Sequence, residues 1–396
     1  MAEKEIRSNI GARSPYAIVE AIEKKAIPWK KKSKKETRSL LKQVLGMPYD
    51  ELFDPSLDSP LYRGLEGRSD EDDLQSIKSM SSPCGIAPTG WNLDPDWRFS
   101  IAGIPAGTDW EDPVQGCSLD CYLIAALSSV RFSRPARINL DNRPDSTYSI
   151  TFHDEGIPTV FSGANDLPVN GSDLVYGRSR TANEIWPAVY EKAYAKFLCS
   201  KNPPGCPLCP SDANGDHPTI SGFNGGTPYA ALQHISGLYF ADGVTSFATT
   251  ALPADNGSEL LDPPRYTSIY AKIFRKCGNN PEGATSAPMV ATTYYSEAEN
   301  PDGLPYSEET IVANHSYSVL GVHTEDVNGV PTKFVVLRNP YGQLWGADPA
   351  YSGTPLALAR GNWLGRPLCI EDGIFGLKVH QFKRYFERFG WVQNPP

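Results

Sequence analysis

The strongest local signal in the sequence is an Asn-Gly pair between two apolar, β-branched runs. HSYSVLGVH and KFVVLRN lie on either side of Asn328-Gly329. Asn-Gly favours the positive φ values of a type I′ turn, so the two runs are predicted to pair as an antiparallel hairpin. His315 and Asn339 lie at the outer ends of these runs. The hairpin is therefore predicted to bring an imidazole and a carboxamide to the same end of a sheet.

A glutamine and two cysteines stand immediately before a run of helix formers. Residues 115–121 read QGCSLDC, and YLIAALSSV follows. This order predicts a loop that turns into a helix at Cys121. The unpaired N–H groups and the dipole of a helix N-terminus favour negative charge, which lowers a thiol pKa and supplies donors for an oxyanion. The alternative role for Cys121 is that of a small buried hydrophobic residue.

Composition excludes several classes of protein. The chain has 396 residues, enough for two or three domains, and its net charge of −9 argues against nucleic acid as the main partner. The charged start, MAEKEIRSNI, has no apolar signal region, and no run of about 18 apolar residues follows, so neither a membrane span nor secretion is expected. Eight cysteines are too few for a disulfide scaffold, and we expect reduced thiols.

Residues 1–90 are predicted to form an N-terminal appendage that is partly disordered. Residues 24–38 carry seven lysines and Arg38 against one glutamate, and an acidic and then a serine-rich segment follow. A solvated arm is the favoured interpretation of the basic run, and a nuclear-import signal is the alternative. From residue 91 onward, the density of aromatic and turn residues indicates a packed domain.

The packed region is predicted to be α+β, with helices before strands. Residues 91–225 are predicted to form a helical lobe that contains Cys121, and residues 226–396 a β-rich lobe. EIWPAVYEKAYAKF, at 184–197, predicts an amphipathic helix with a proline in its first turn. GFNGG, at 222–226, is a predicted hinge between the lobes.

Five motifs resemble those of the calpain-type cysteine peptidases. QGCSLDCY is similar to Q-G-x-x-G-D-C-W, NHSYSVLGV to G-H-A-Y-S-V, and RNPYG to R-N-P-W-G. EIWPAVYEKAYAKF resembles E-F-W-x-x-x-x-E-K-A-Y-A-K, and DGIFGLKVHQF resembles D-G-x-F-W-M-x-x-x-D-F. All five lie in the order of the family over about residues 96–390. The resemblance implies a papain-like, two-lobed calpain protease core that follows the appendage.

The resemblance also implies the roles of four residues. Cys121 would be the nucleophile, His315 the general base and acid, and Asn339 the residue that orients the imidazole. Gln115 would donate to the oxyanion together with the Cys121 N–H, a contribution of about 3–4 kcal/mol to transition-state stabilisation. A hydrogen bond within the loop is the structural alternative for Gln115.

Three residues in these motifs differ from the family pattern. Leu119 stands where the family has glycine, so the loop must be reshaped if the backbone there needs a positive φ. Tyr122 and Tyr341 replace the two tryptophans that flank the cleft of the family, which keeps an aromatic wall and adds a hydroxyl at each position.

Calcium in each lobe is a further implication of the resemblance, since loop carboxylates and carbonyls suit a hard cation. The first-lobe ligands would be Gly107, Asp112 and Glu191. The alternative roles are a turn residue for Asp112 and a helix-surface charge for Glu191. In the second lobe Ile374 replaces a glutamate of the family, and only Asp372, with Asp348 as a helper, remains. Calcium there is expected to be weak or absent.

A second metal hypothesis concerns a proline-rich insertion with closely spaced thiols. One C-x-x-C pair, one more cysteine and a histidine are the types of residue that bind zinc. The set consists of Cys199, Cys206, Cys209 and His217. Chance thiols in such an insertion explain these residues equally well.

The resemblance implies a cytoplasmic, calcium-responsive thiol protease that hydrolyses peptide bonds in protein substrates through a thioester. The alternative is a catalytically impaired calpain core that acts as a calcium-sensitive protein-binding module, which Leu119 and the reduced second calcium site favour. Acyl transfer to an amine would use the same thioester. No EF-hand loop follows the core, so dimerisation through an EF-hand small subunit is not expected.

Overall fold

A computed structural model describes most of the chain beyond the predicted appendage. The described residues are 87–100, 109–140, 146–201, 209, 215–220, 225–240, 245–246, 269–278, 280, 282–306, 311–342, 350–351, 354–355, 358–359, 361–368 and 373–394. The predicted appendage up to residue 86, including its basic run, lies outside them. Helices and strands both contribute to the described part, which is α+β as predicted.

Five α-helices and two short 3₁₀ helices are present in the described part. The α-helices are α1 Cys121–Ser133, α2 Trp186–Ser200, α3 Pro228–Ser236, α4 Ile269–Lys276 and α5 Val379–Tyr385. The 3₁₀ helices are Asp109–Glu111 and Pro135–Arg137. Helix α1 begins at Cys121, and α2 carries Pro187 in its first turn, so both sequence predictions are confirmed.

The strands fall into one large sheet and several small ones. They are β1 Gly90–Asn92, β2 Thr147–Asp154, β3 Ile157–Ala164, β4 Leu167–Asn170, β5 Asp173–Leu174, β6 Tyr239–Phe240, β7 Thr245–Ser246, β8 Met289–Thr293, β9 Ser316–Val327, β10 Val330–Arg338, β11 Ala350–Tyr351, β12 Thr354–Pro355, β13 Asn362–Trp363, β14 Arg366–Pro367, β15 Ile374–Lys378 and β16 Phe386–Gln393. The large sheet has the order β15-β10-β9-β8-β16-β6, and β7 also pairs with β16.

The predicted hairpin forms the middle of the large sheet. Strands β9 and β10 are antiparallel and meet at Asn328 and Gly329, whose φ values of 56° and 82° fit a type I′ turn. A register shift between Val336 and Leu337 indicates a β-bulge near the far end of β10. The bulge lies where the two strands approach His315 and Asn339.

One hydrophobic cluster joins α1, α2 and α3 with the β2–β3 hairpin. Helix α3 starts on a Thr227 cap, whose Oγ1 accepts from the Ala230 N–H, and ends at Gly237 with φ 65°. Its apolar face, with Leu232 and Ile235, packs in this cluster although α3 follows the predicted division after residue 225. Val290 and Val392 of the large sheet also belong to the cluster, so helices and sheet share a core.

Two further clusters lie on the large sheet. One is built from the sheet together with α4 and α5. The other joins Trp110 and the partly buried Phe132 to Trp363 on the β13–β14 hairpin. Within the described residues, no helix combines the length and the apolar character that crossing a bilayer requires.

Candidate active site

Cys121, the first residue of α1, has a half-buried side chain that contacts β9. The backbone and the hydroxyl of Ser316 and the backbone of Tyr122 lie close enough to its sulfur to favour the thiolate. Burial raises the pKa of the Cys121 thiol to about 11, and the charge of Asp120 adds to the rise, whereas these polar neighbours lower it. Burial therefore outweighs the lowering expected at a helix N-terminus, and the resting thiol is protonated at neutral pH.

His315 immediately precedes β9 and is buried. Its Nε2 lies 3.1 Å from Oδ1 of Asn339, the first residue after β10. The Tyr341 N–H donates to the same Oδ1 at 3.0 Å, which identifies this atom as the acceptor and Nε2 as a donor. The neutral imidazole thus carries its proton on Nε2 and leaves Nδ1 as the basic nitrogen. Burial lowers the pKa of His315 to about 4, although the Asn339 hydrogen bond raises it.

Ser316 links the two halves of this arrangement. It lies beside the Cys121 sulfur and follows His315 in the chain, so the start of α1 lies against the start of β9. The motif comparison does not assign Ser316 a role. The signal that could have drawn attention to it is the serine of NHSYSV, where the motif of the family has alanine.

Both tyrosines that replace tryptophans lie in the site. The Tyr341 ring is tilted against the His315 ring, with centroids 4.7 Å apart. Tyr122 is buried, and its ring lies so close to Gly226 that a Cβ there would be 2.6 Å from Cζ. The backbone at 226 therefore needs glycine, because a side chain would displace the Tyr122 ring.

Gln115 and Leu119 belong to the loop before α1. The Gln115 N–H donates to Pro340 O at 2.9 Å, and its Nε2 donates to Ser118 O at 2.6 Å, so a hydrogen bond within the loop is present. Leu119 is not among the residues with a positive φ, and its carbonyl accepts from the Gly225 N–H at 2.9 Å. Leucine consequently replaces the glycine of the family without strain of that kind.

Cys117, in the same loop, is part of a disulfide. The other described cysteines are free: Cys121, Cys199, Cys209 and Cys277. The expectation of reduced thiols is therefore wrong at Cys117 and holds at these four positions.

Asp112 and Glu191 are both buried, and each has one oxygen that no described N–H or hydroxyl reaches, Oδ2 and Oε1 respectively. The other oxygens are bonded: Asp112 Oδ1 accepts from Thr181 Oγ1 at 3.0 Å, and Glu191 Oε2 accepts from the Gly177 N–H at 2.9 Å. Gly107 lies outside the described residues. The two carboxylates thus present oxygen atoms of the kind that calcium binds.

The Glu191 carboxyl also contacts that of Asp120, the residue before the thiol. Burial raises the pKa of Asp120 to about 6. Burial and the charge of Asp120 raise the pKa of Glu191 well above its ordinary value. The two carboxyls therefore influence each other's charge, which connects the Glu191 region to the start of α1.

The other predicted metal ligands are only partly within the described residues. Asp348 and Asp372 lie outside them, and Ile374 is buried in β15. Of the zinc set, Cys206 also lies outside. Cys209 contacts the Cys199 carbonyl at 3.7 Å, whereas His217 Nε2 lies 2.6 Å from Asp166 and its ring stacks on Trp91.

Asp166, Asp216 and His217 form the group of described side chains spaced closely enough to hold a metal. Two lysines already neutralise it: Lys192 Nζ lies 2.6 Å from Asp166 and 3.3 Å from Asp216, and Lys196 Nζ lies 2.8 Å from Asp216. This arrangement is an ion-pair network rather than a cation site, because ammonium groups occupy the carboxylate oxygens.

Comparison with known proteins agrees with the motifs. Residues 81–202, which include Gln115 and Cys121, match the calpain family cysteine protease. Calpain-8 of Homo sapiens is 27% identical over 300 residues, which cover 72% of this chain and 36% of that protein. The calpain-2 catalytic subunit of Rattus norvegicus is 26% identical over 318 residues, which cover 76% of this chain and 37% of that protein. The chain thus matches little more than a third of the length of these relatives. These matches support a calpain-type cysteine peptidase core in this chain.

Proposed function

We propose that this chain is a cysteine endopeptidase that hydrolyses peptide bonds in protein substrates by a Cys-His-Asn mechanism. The observation that carries the proposal is the 3.1 Å contact between His315 Nε2 and Asn339 Oδ1, next to Ser316, which contacts the Cys121 sulfur. A nucleophile, a base and a group that orients the base are the parts that such catalysis needs.

In the proposed reaction the thiol proton of Cys121 moves to His315 Nδ1, and the sulfur attacks the carbonyl carbon of the substrate. The oxyanion accepts from the Cys121 N–H and from Gln115, whose amide has a second hydrogen besides the one bonded to Ser118 O. The imidazolium then protonates the leaving amine as the C–N bond breaks. Water attacks the resulting thioester with His315 as the base, which releases the acid and restores the thiol.

Calcium responsiveness is part of the proposal. Asp112 and Glu191, with the Gly107 carbonyl, would hold the ion in the first lobe, and the buried oxygens Oδ2 and Oε1 support this donor set. Calcium would supply positive charge that orders the loop before α1. Glu191 would hold the ion through its charged carboxylate, next to Asp120. A second-lobe site would be weak or absent.

The proposal also covers the division into lobes and the location in the cell. Segments 91–225 and 226–396 would be the two lobes, with an extended substrate segment between them, although α3 packs with the first. We propose a cytoplasmic location because a catalytic thiol must stay reduced, with nuclear import through residues 24–38 as the alternative. The disulfide at Cys117 argues against a reducing compartment.

A calcium-sensitive binding module without peptidase activity is the second candidate. The pKa of about 11 for Cys121 and of about 4 for His315 favours it, because both groups are neutral at rest and no thiolate is preformed. Against it stands the complete set of Gln115, Cys121, His315 and Asn339, for which a binding module has no chemical need.

The test is hydrolysis of unfolded casein by the purified chain and by Cys121→Ala, with and without millimolar calcium, in reducing buffer. We expect cleavage that depends on calcium and that disappears in the variant, because without the sulfur no thioester forms. Cleavage without calcium would support the Cys-His-Asn mechanism and overturn the proposed calcium dependence. A folded protein that cleaves nothing and whose Cys121 reacts slowly with iodoacetamide would favour the binding module.

A further inference from the structure

Ser316 contacts the proposed nucleophile from the sheet side. It is the first residue of β9, it is 4% exposed, and both its backbone and its hydroxyl lie beside the Cys121 sulfur. Neither the proposed mechanism nor the motif comparison gives the hydroxyl a role.

The contact follows from a regular seam between α1 and the sheet. Cys121, Ala125 and Ser129 are spaced by four residues and lie on one face of α1, whereas Ser316 and Ser318 are spaced by two and lie on one face of β9. Ser318 Oγ donates to Ala125 O at 2.7 Å, one helical turn beyond the contact between Ser316 and Cys121.

The next turn continues the seam on the neighbouring strand. Ser129 Oγ donates to Met289 O at 2.8 Å and accepts from the Met289 N–H at 2.7 Å. A helical turn rises about 5.4 Å and two strand residues about 6.6 Å, so successive contacts stay aligned. These contacts determine the position of α1 along the strands of the sheet. The contact at the start of the helix is the one with the Cys121 sulfur.

We propose that the Ser316 hydroxyl belongs to the catalytic machinery: it donates a hydrogen bond to the Cys121 sulfur and stabilises the thiolate that attacks the substrate. This inference rests on the proposed function. The Ser316 proton stays on its oxygen throughout, because the thiol proton goes to His315 Nδ1. Once the sulfur forms the thioester it loses its negative charge, and the hydrogen bond weakens.

Two other charged groups act on the same sulfur. The Asp120 carboxylate disfavours the thiolate, and its own pKa depends on the neighbouring Glu191 carboxyl. His315, from the chain segment that leads into β9, favours the thiolate once it is protonated. These groups remain in a Ser316 variant, so a change in the reactivity of the thiol can be assigned to the loss of the Ser316 hydroxyl.

The test measures the rate at which iodoacetamide alkylates Cys121 as a function of pH, in wild type, Ser316→Ala, Ser316→Thr and Ser318→Ala. Fragment ions of the tryptic peptide 99–131 separate Cys121 from Cys117. We expect Ser316→Ala to slow alkylation about tenfold below the thiol pKa and to move the profile about one unit to higher pH. Ser316→Thr keeps the hydroxyl and should restore the rate.

Ser318→Ala is the matched control, since it removes a serine from the same face and seam without touching the sulfur. We expect its profile to coincide with that of wild type. Equal profiles for Ser316→Ala and wild type would overturn the proposal, as would an equal shift in both alanine variants. Alkylation needs no substrate. A shift in a protein that does not cleave casein would therefore sustain the role of Ser316 while the peptidase proposal fails.

Discussion

Asn339 decides which nitrogen of His315 is available as the base in the proposed reaction. Its Oδ1 accepts from both His315 Nε2 and the Tyr341 N–H, so neither the carboxamide nor the imidazole can turn without losing a hydrogen bond. Tyr341 also covers the imidazole with its ring. Two short-range contacts thus fix the tautomer that the proposed proton transfer requires.

Two substitutions of Asn339 should distinguish its role in orienting the imidazole from its effect on the pKa of His315. We expect Asn339→Ala to lower kcat/KM about 100-fold, because the imidazole loses its orientation. The Asn339 hydrogen bond raises the pKa of His315, so its loss should move the acidic limb of the kcat/KM profile to lower pH. Asn339→Asp keeps an acceptor and adds a negative charge, which should move that limb to higher pH. A shift in the same direction in both variants would contradict the assignment.

At the scale of elements, Lys192 holds α2 against the loop between β3 and β4. Its fully buried ammonium donates to Ala164 O at 2.9 Å and to Asp166 O at 3.0 Å, and it pairs with the carboxylates of Asp166 and Asp216. It also lies 5.0 Å from the centroid of the Trp91 ring. One side chain therefore joins a helix, a loop and residue 216 beyond the insertion.

Removing this ammonium should destabilise the fold. We expect Lys192→Met to lower the free energy of unfolding by about 3–5 kcal/mol, because two partly buried carboxylates lose a charge partner. Lys196→Met is the matched control on the same helix. It removes a partly exposed partner of Asp216, so about 1 kcal/mol is expected. Urea titrations followed by circular dichroism would measure both, and equal losses would show that burial of Lys192 is unimportant.

At the scale of the whole molecule, the segment before Cys121 is tied to the β13–β14 hairpin, which lies about 240 residues later in the chain. Trp363 packs on Phe132, with ring centroids 5.9 Å apart, and Arg366 pairs with Glu111 and lies over the Trp110 ring at 5.5 Å. These contacts join the β13–β14 hairpin to the loop and helix that carry Cys121.

Loss of the Trp363 ring should loosen this connection. We expect Trp363→Ala to lower the free energy of unfolding by about 3–5 kcal/mol, because the indole is 2% exposed and leaves a cavity. Val160→Ala, at a side chain that is 60% exposed, should change it by less than about 0.5 kcal/mol. Denaturant unfolding of both variants is the measurement. A loss below about 1 kcal/mol for Trp363→Ala would show that the hairpin contributes little.

The secondary structure around the candidate site could be predicted well from the sequence. The start of α1 at Cys121, the Asn328-Gly329 turn and the pairing that joins His315 to Asn339 all follow from turn chemistry, strand alternation and helix start signals. The role of Ile374 as a buried strand residue could not be predicted, because it depends on which strand lies beside β10. The packing of α3 with α1 also depends on contacts distant in sequence.

The hairpin, the helix start and the residue types of a thiol, an imidazole and two amides follow from the amino-acid sequence alone, since these depend on φ preferences and side-chain chemistry over a few residues. The protonation of the thiol depends on the fold, because burial and the charge of Asp120 raise the thiol pKa. The contact of Ser316 with the sulfur and that of Glu191 with Asp120 depend on the fold as well. Those contacts depend on how α1 lies on the sheet and on α2, which no short stretch of sequence specifies.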